Sequence, residues 1–216
     1  MAKLSVEQAL AKAKSHTKKG EVVEAQALYT VVLKAFPNNK KAQQGLVFAG
    51  KTTQSTAIQS STQRTINQLA NLFNQGQLSL VAKQAEALSK YYPDNFVIWS
   101  YLGGAYLGLG KAGKAVKAFN RVTGLNPNYP EGHNNLGAAL QTLGSYEESL
   151  KSFDNAVSLK PDYSEAYYNI GISYKELDQL DLAIIAYNKS LALNPNNWET
   201  YGNLGLAFKE KGEWVE

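Results

Sequence analysis

The chain has 216 residues, 44% of them hydrophobic, 19% charged and 11% aromatic, with a formal net charge of +4 and no cysteine. This is the composition of an ordinary folded protein, and it excludes disulfide scaffolds, thiolate metal sites and cysteine nucleophiles. The only two histidines, His16 and His133, are too few and too far apart in sequence to seed a metal cluster. No apolar run approaches the ~20 residues of a membrane span. Residues Met1–Gln8 lack the apolar stretch of a secretory leader and already read as helix. The expectation is a cytoplasmic protein, or a soluble part of a larger one, with no cofactor, no metal and no membrane partner.

From the amino terminus, a first unit over 6–39 carries Gly20 and, 17 residues later, Pro37. Residues 40–50 can begin a further helix. Residues 52–63 then hold ten uncharged polar side chains without periodicity, a linker composition with too little apolar surface to offset the entropy of ordering. The predicted division is therefore 1–50, a polar linker at 51–61, and an array over 62–216. Two arrangements are open for the first part: it swings as a separate module, or residues 42–50 pack back on the first unit and only the polar tract is loose.

The array is periodic. Pro93, Pro127, Pro161 and Pro195 stand 34 residues apart, and 17 residues before them stand Gly76, Gly110, Gly144 and Asp178. With each proline at position 32 of a 34-residue unit, the units are 62–95, 96–129, 130–163, 164–197 and a truncated 198–216. In the last four, position 4 holds Trp99, His133, Tyr167 and Tyr201, and position 7 holds Leu102, Leu136, Ile170 and Leu204. Position 8 is glycine every time (Gly103, Gly137, Gly171, Gly205), and position 11 is Tyr106, Leu140, Tyr174 and Phe208. In the second half of the unit, position 20 is Ala115, Ser149 and Ala183, position 24 is Phe119, Phe153 and Tyr187, and position 27 is Val122, Ala156 and Ser190. Both sets follow the i, i+3, i+4, i+7 rule of one helical face. A glycine inside a helix costs about 1 kcal/mol relative to alanine, so four in register imply that two backbones must approach closely there. The aromatic residues at positions 4, 11 and 24 are expected in the core, His133 and His16 among them as packed imidazoles.

These landmarks resemble the tetratricopeptide repeat, a helix–turn–helix unit of 34 residues. The likeness covers 96–216 and 62–95 well and 6–39 more loosely. It implies an all-α fold, an α-α superhelix or solenoid of antiparallel helix pairs in which each unit buries its apolar face against its neighbours. The last unit stops after its first helix, leaving Leu204, Phe208 and Trp214 without cover. That predicts a fragment of a longer protein and end-to-end self-association through this end.

In such arrays the first helices line a concave groove, with position 6 pointing into it. Position 6 is Tyr101, Asn135, Asn169 and Asn203. A column of amides can donate to and accept from the main chain of an extended peptide, an arrangement similar to the repeat region of O-linked N-acetylglucosamine transferases. Alternatively the amides merely bond the neighbouring helix. Tyr168 and Ile172, with Lys175 and Lys209, complete the candidate groove, together with Leu206. Glu131, Glu165 and Glu199 at position 2 suit a helix's first turn as well as a ligand, and this acidic column argues against a groove that grips a carboxylate.

Charge is uneven, with a net of +11 over residues 1–129 and −7 over 130–216. No nucleic-acid motif accompanies the basic half, which reads as a solvated face, so no nucleic-acid partner is expected. Phosphate-binding glycine loops, a nucleophile elbow and a His-Glu-x-x-His pair are all missing, and no enzyme activity is expected of this segment. The predicted function is a protein-interaction scaffold that holds an extended peptide. The alternative is the recognition region of a larger bacterial glycosyltransferase or sulfotransferase whose catalytic domain lies beyond residue 216.

Overall fold

The computed structural model describes the backbone of residues 5–212 and the side chains of all of these except 52–61. Helices follow one another throughout: α1 (Val6–Lys19), α2 (Val22–Ala35), α3 (Lys40–Asn74), α4 (Leu78–Tyr91), α5 (Phe96–Gly108) and α6 (Ala112–Leu125). They continue as α7 (Pro130–Thr142), α8 (Tyr146–Leu159), α9 (Ser164–Glu176), α10 (Leu180–Leu193) and α11 (Trp198–Lys211). The fold is the all-α superhelix of paired helices that the periodicity implies. The chain divides into two compact units, Met1–Thr65 and Ile66–Glu216.

Helix α3 runs through residues 51–61, where composition alone suggests a linker. The physical reason is that no glycine or proline interrupts residues 51–75, and polar side chains by themselves do not stop a helix. The side chains that carried the linker argument lie outside the described residues, as does Trp214.

Each hairpin turn closes the same way. The chain enters the left-handed region at Gly76 (φ 71°), Gly110 (70°) and Gly144 (75°), and in the last full repeat at Asp178 (57°). This lets the next residue's N–H reach back to the helix: Lys111 donates to the Tyr106 carbonyl and Gln179 to that of Tyr174, at 2.8 and 2.9 Å. Such a pair of bonds ends a helix cleanly. Asp178 is the one non-glycine residue of positive φ among the described residues. The second helices end at Asn126, Lys160 and Asn194, each extended (φ −135° to −137°), as a following proline requires. Asn95 and Asn197 then start the next helices by accepting backbone N–H groups of Val97, Ile98 and Thr200.

Within the first unit, Ala9, Ala13, Ala25, Tyr29, Val32 and Ala42 form a small buried core. In the second, the helix pairs close through a ring-on-glycine contact. A Cβ added at Gly103 would meet the Phe119 ring at 2.7 Å, at Gly137 the Phe153 ring at 2.5 Å, and at Gly171 the Tyr187 ring at 2.4 Å. The rings are 0–1% exposed, and the position-20 residues beside them (Val81, Ala115, Ser149, Ala183) are fully buried. The position-8 glycines therefore act as expected, by subtraction: each leaves the flat space that a ring fills. Gly205 is the exception, with nothing within 4 Å of its missing Cβ.

Position 4 differs from the expectation. Trp99, His133 and Tyr167 are half-buried and Tyr201 is 53% exposed. Trp99 Nε1 donates to the Pro93 carbonyl, and His133 Nε2 lies 2.8 Å from that of Pro127. These rings cover inter-repeat turns, and a polar ring edge is wanted there because the turn carbonyl has no helical partner. His16 is likewise half-buried rather than core, its Nδ1 against the Glu21 carboxylate.

In the second unit α5, α7, α9 and α11 touch not only their partners but each the next first helix in line, while α6, α8 and α10 have no such contact among the described residues. The first helices thus stand closer together, which bends the stack with their row on the inside. The ring-on-glycine reading predicts opposite signs for one substitution at equivalent sites. Gly137→Ala forces a methyl into the Phe153 ring and should destabilise by about 1–3 kcal/mol. Gly205→Ala meets open space and should stabilise by up to ~1 kcal/mol through helix propensity alone. Urea denaturation of the two variants reads both; equal effects would show that the glycines are not packing devices.

Candidate functional site

The inner row of first helices carries a cleft of about 590 Å³ lined by Phe73, Phe96, Tyr101, Leu107, Phe119 and Tyr129, with Asn135 at its edge. Two glycines on its lining admit neighbouring side chains: a Cβ at Gly104 would meet Phe73 at 3.1 Å and one at Gly108 would meet Leu78 at 2.5 Å. Positions 9 and 13 of this repeat are Gly104 and Gly108, whereas the following repeats place Ala138, Ile172 and Leu206 at the first, and Thr142, Glu176 and Glu210 at the second. Its walls are fixed by edge-on aromatic pairs, Phe73 with Tyr101 (5.8 Å) and Phe96 with Tyr129 (5.3 Å). The floor includes Phe119, the ring already seated on Gly103.

The asparagine column is not uniform. Asn169 donates through Nδ2 to Oδ1 of Asn134 in the preceding repeat, and Asn203 donates to the Tyr168 hydroxyl and to the Glu199 carbonyl. Asn134 is 1% exposed and donates in turn to Glu165. It occupies position 5, next to the position-6 column, and works as a buried tie between repeats. Gln141, at position 12, is also tied inward: its Nε2 bonds the Asn169 carbonyl (2.9 Å) and Ser173 Oγ (2.8 Å), which meets the buried Ser149 hydroxyl at 2.7 Å. Asn135 alone of the three position-6 amides has no side-chain hydrogen bond among the described residues, and it is the one that borders the aromatic cleft.

Of the other candidate residues, Tyr101 shares the cleft with Asn135. Tyr168 and Ile172 lie in a separate cluster around Tyr187, Ala183 and Ala207, and Tyr168 stands 6.2 Å from the Tyr187 ring. Lys175 is ion-paired with Glu176 at 3.6 Å rather than standing free, and Lys209 is exposed in the last turn of α11. Phe73, Gly104 and Gly108 were legible only as bare positions in the register. Among the described residues no group of three or more His, Asp or Glu is placed to hold a metal ion, and no helix is long and apolar enough to cross a membrane.

Burial sets the electrostatics. The Tyr163 phenol is pushed well above its ordinary value, chiefly by desolvation and then by Glu165 and Glu131, with an Asn134 hydrogen bond acting the other way. Tyr187 is pushed up likewise, by burial first and the nearby Tyr168, Glu176 and Glu210 next. The Tyr187 hydroxyl is buried without a hydrogen-bond partner among the described residues, which costs roughly 1–3 kcal/mol. Tyr187→Phe keeps the ring on Gly171 and removes that cost, so it should stabilise by about 1 kcal/mol in urea unfolding. Raised phenol pKa values mean that the folded state holds these protons more tightly than the unfolded one. Stability is therefore complete below pH 10, where free tyrosine titrates, and is lost as pH climbs above it. Melting curves across this range should show that loss, and a shallower one in Tyr187→Phe; an identical slope would remove Tyr187 from the account.

The tetratricopeptide repeat family matches residues 164–197 and 186–216, and the related TPR repeat description matches 103–144 and 142–178. Together these span more than half the chain. No curated protein matches it. Among solved structures, MamA (residues 41 to the end) from Desulfovibrio magneticus RS-1 is similar, at 23% identity and a TM-score of 0.65 over 70% of this chain and 85% of that one. YrrB, described as a TPR protein with an unusual peptide-binding site, is similar at 19% identity and a TM-score of 0.57, over 96% of this chain and 92% of its own. The first TPR of Spaghetti (RPAP3) bound to the HSP90 peptide SRMEEVD gives 24% identity and a TM-score of 0.53, over 54% and 93%. The repeat landmarks, the helix pairs they close and these matches agree: the chain belongs to the tetratricopeptide repeat family.

Proposed function

We propose that the chain is a protein-interaction scaffold whose second unit holds an extended peptide along its inner row of helices, with a bulky apolar side chain seated in the Tyr101 cleft. The observation that carries this reading is the pairing of an aromatic-walled cleft with the unengaged Asn135 amide on its edge. An apolar anchor supplies affinity and an amide with two donors and an acceptor fixes the main chain beside it. The kinship with YrrB and with the HSP90-peptide-bound TPR supports the class of ligand. Asn169 and Asn203 belong to the same column, but each already gives an N–H to the preceding repeat, so their larger role here is to hold the groove's shape. The transferase reading has no observation in its favour.

The test separates the two roles. Peptides are selected from a random dodecapeptide library on the intact chain and measured by fluorescence anisotropy against variants. Asn135→Ala and Tyr101→Ala should each weaken binding about tenfold or more, the first with melting temperature nearly unchanged and the second with some loss of stability from the Phe73 contact. Asn169→Ala and Asn203→Ala should lower stability by about 1 kcal/mol each and affect binding less. A melting loss at Asn135 equal to that at Asn169, with binding intact, would make the whole column structural.

A further inference from the structure

The repeats over 62–129 carry seven Lys and Arg against two acidic residues, and all five of the lysines line two adjoining clefts that share no residue with the aromatic cleft. Lys83 and Lys90 on α4, with Lys111 and Lys114 at the start of α6, wall a cleft of about 400 Å³. Lys111, Lys114 and Lys117 border a second cleft of about 630 Å³ that continues to Thr142 and Leu143. The two clefts share Lys111 and Lys114, so they form one trough along α4, the α5–α6 turn and α6. All five lysines are exposed, and none is ion-paired among the described residues.

One carboxylate lies in the trough, and it is already engaged: Glu86 accepts a hydrogen bond from the Tyr106 hydroxyl at 3.1 Å. Lys114 stands 5.2 Å above the same Tyr106 ring and lines both clefts. Five exposed ammonium groups along one trough leave a local excess of positive charge that an anionic ligand would complement. Between the cations the lining is aliphatic, with Ala82, Ala87 and Leu109 in the first cleft and the half-exposed Leu143 in the second.

We infer that this trough is a second binding face, separate from the groove, and that its occupant is an acidic stretch of a partner protein, Asp/Glu-rich and extended. Lysines act as point charges that suit carboxylates spaced along a chain, and the aliphatic floor suits the methylenes of Glu side chains. Nucleic acid fits less well. The one ring that lines either cleft is Tyr106, 7% exposed, and the exposed Tyr91 at the end of α4 lines neither of them. The one arginine nearby, Arg121, lies over the Trp99 ring and reaches the Pro93 carbonyl, so it presents no free fork to a phosphate.

The test uses a fluorescein-labelled poly-glutamate dodecapeptide titrated into the intact chain. Binding should be saturable at low ionic strength and fall as salt shortens the reach of the charges. The variant Lys83→Glu/Lys111→Glu/Lys114→Glu should lose about tenfold or more in affinity, while Asn135→Ala and Tyr101→Ala bind the probe as the parent does. The neutral variant Lys83→Gln/Lys111→Gln/Lys114→Gln should show the same direction of effect and guards against misfolding of the first, with helix content checked by circular dichroism. Unchanged affinity in both triple variants overturns the proposal. So does tighter binding of an oligothymidylate dodecamer than of poly-glutamate, which would give the face to nucleic acid. A salt-sensitive dimer in sedimentation that the neutral variant dissolves would give it instead to a second copy of the chain.

Discussion

The contact on which the second unit rests is a ring seated against a bare backbone. Three times over, an aromatic side chain of the second helix fills the space left by a glycine of the first. Neither partner works alone. A glycine in mid-helix weakens that helix, and a fully buried Phe or Tyr needs a surface of matching shape. Together they fix how closely and at what height the two helices of a pair meet. That in turn sets where positions 5, 6 and 9 emerge on the inner row, so the groove's geometry is inherited from the core.

The same logic of absent side chains explains the cleft. α5 carries Gly104 and Gly108 where later repeats have larger residues, and these glycines admit Phe73 and Leu78 to the inner row, where Phe73, Tyr101 and Tyr129 wall a hollow. Further along, the row is filled by polar ties instead. Asn134, Gln141, Ser149 and Ser173 join neighbouring repeats through buried hydrogen bonds, which fix register at the cost of leaving little free for a ligand. One groove thus has an apolar end that is open and a polar end that is largely satisfied.

Much of this was legible in the sequence. The 34-residue register located every turn of the array, and the glycines at position 8 foretold the close approach of helices. Asp178 standing where glycine was wanted still closes its turn in the left-handed region. What could not be read was which polar side chains are spent inside the protein. Asn134, Asn135, Asn169 and Asn203 look alike in a string of letters, and their roles differ only through the identity of the atom across the repeat boundary. Position 4 misled for a related reason: an aromatic at a periodic place suggests core, yet Trp99 and His133 cover carbonyls at turns. At 51–61 composition reports a lack of apolar surface, whereas the continuity of the α3 backbone there depends on the absence of glycine and proline.

Among the described residues each first helix touches the first helix of the next repeat, whereas the second helices touch their own partners and the first helix that follows but not one another. The solvent-facing side of the outer row therefore meets no neighbouring second helix, and residues on that side alone can be exchanged without disturbing the buried rings that align the inner one. A protein built this way can retune its external chemistry, from the lysines of α6 to the carboxylates of α8 and α10, while its inner surface stays in step.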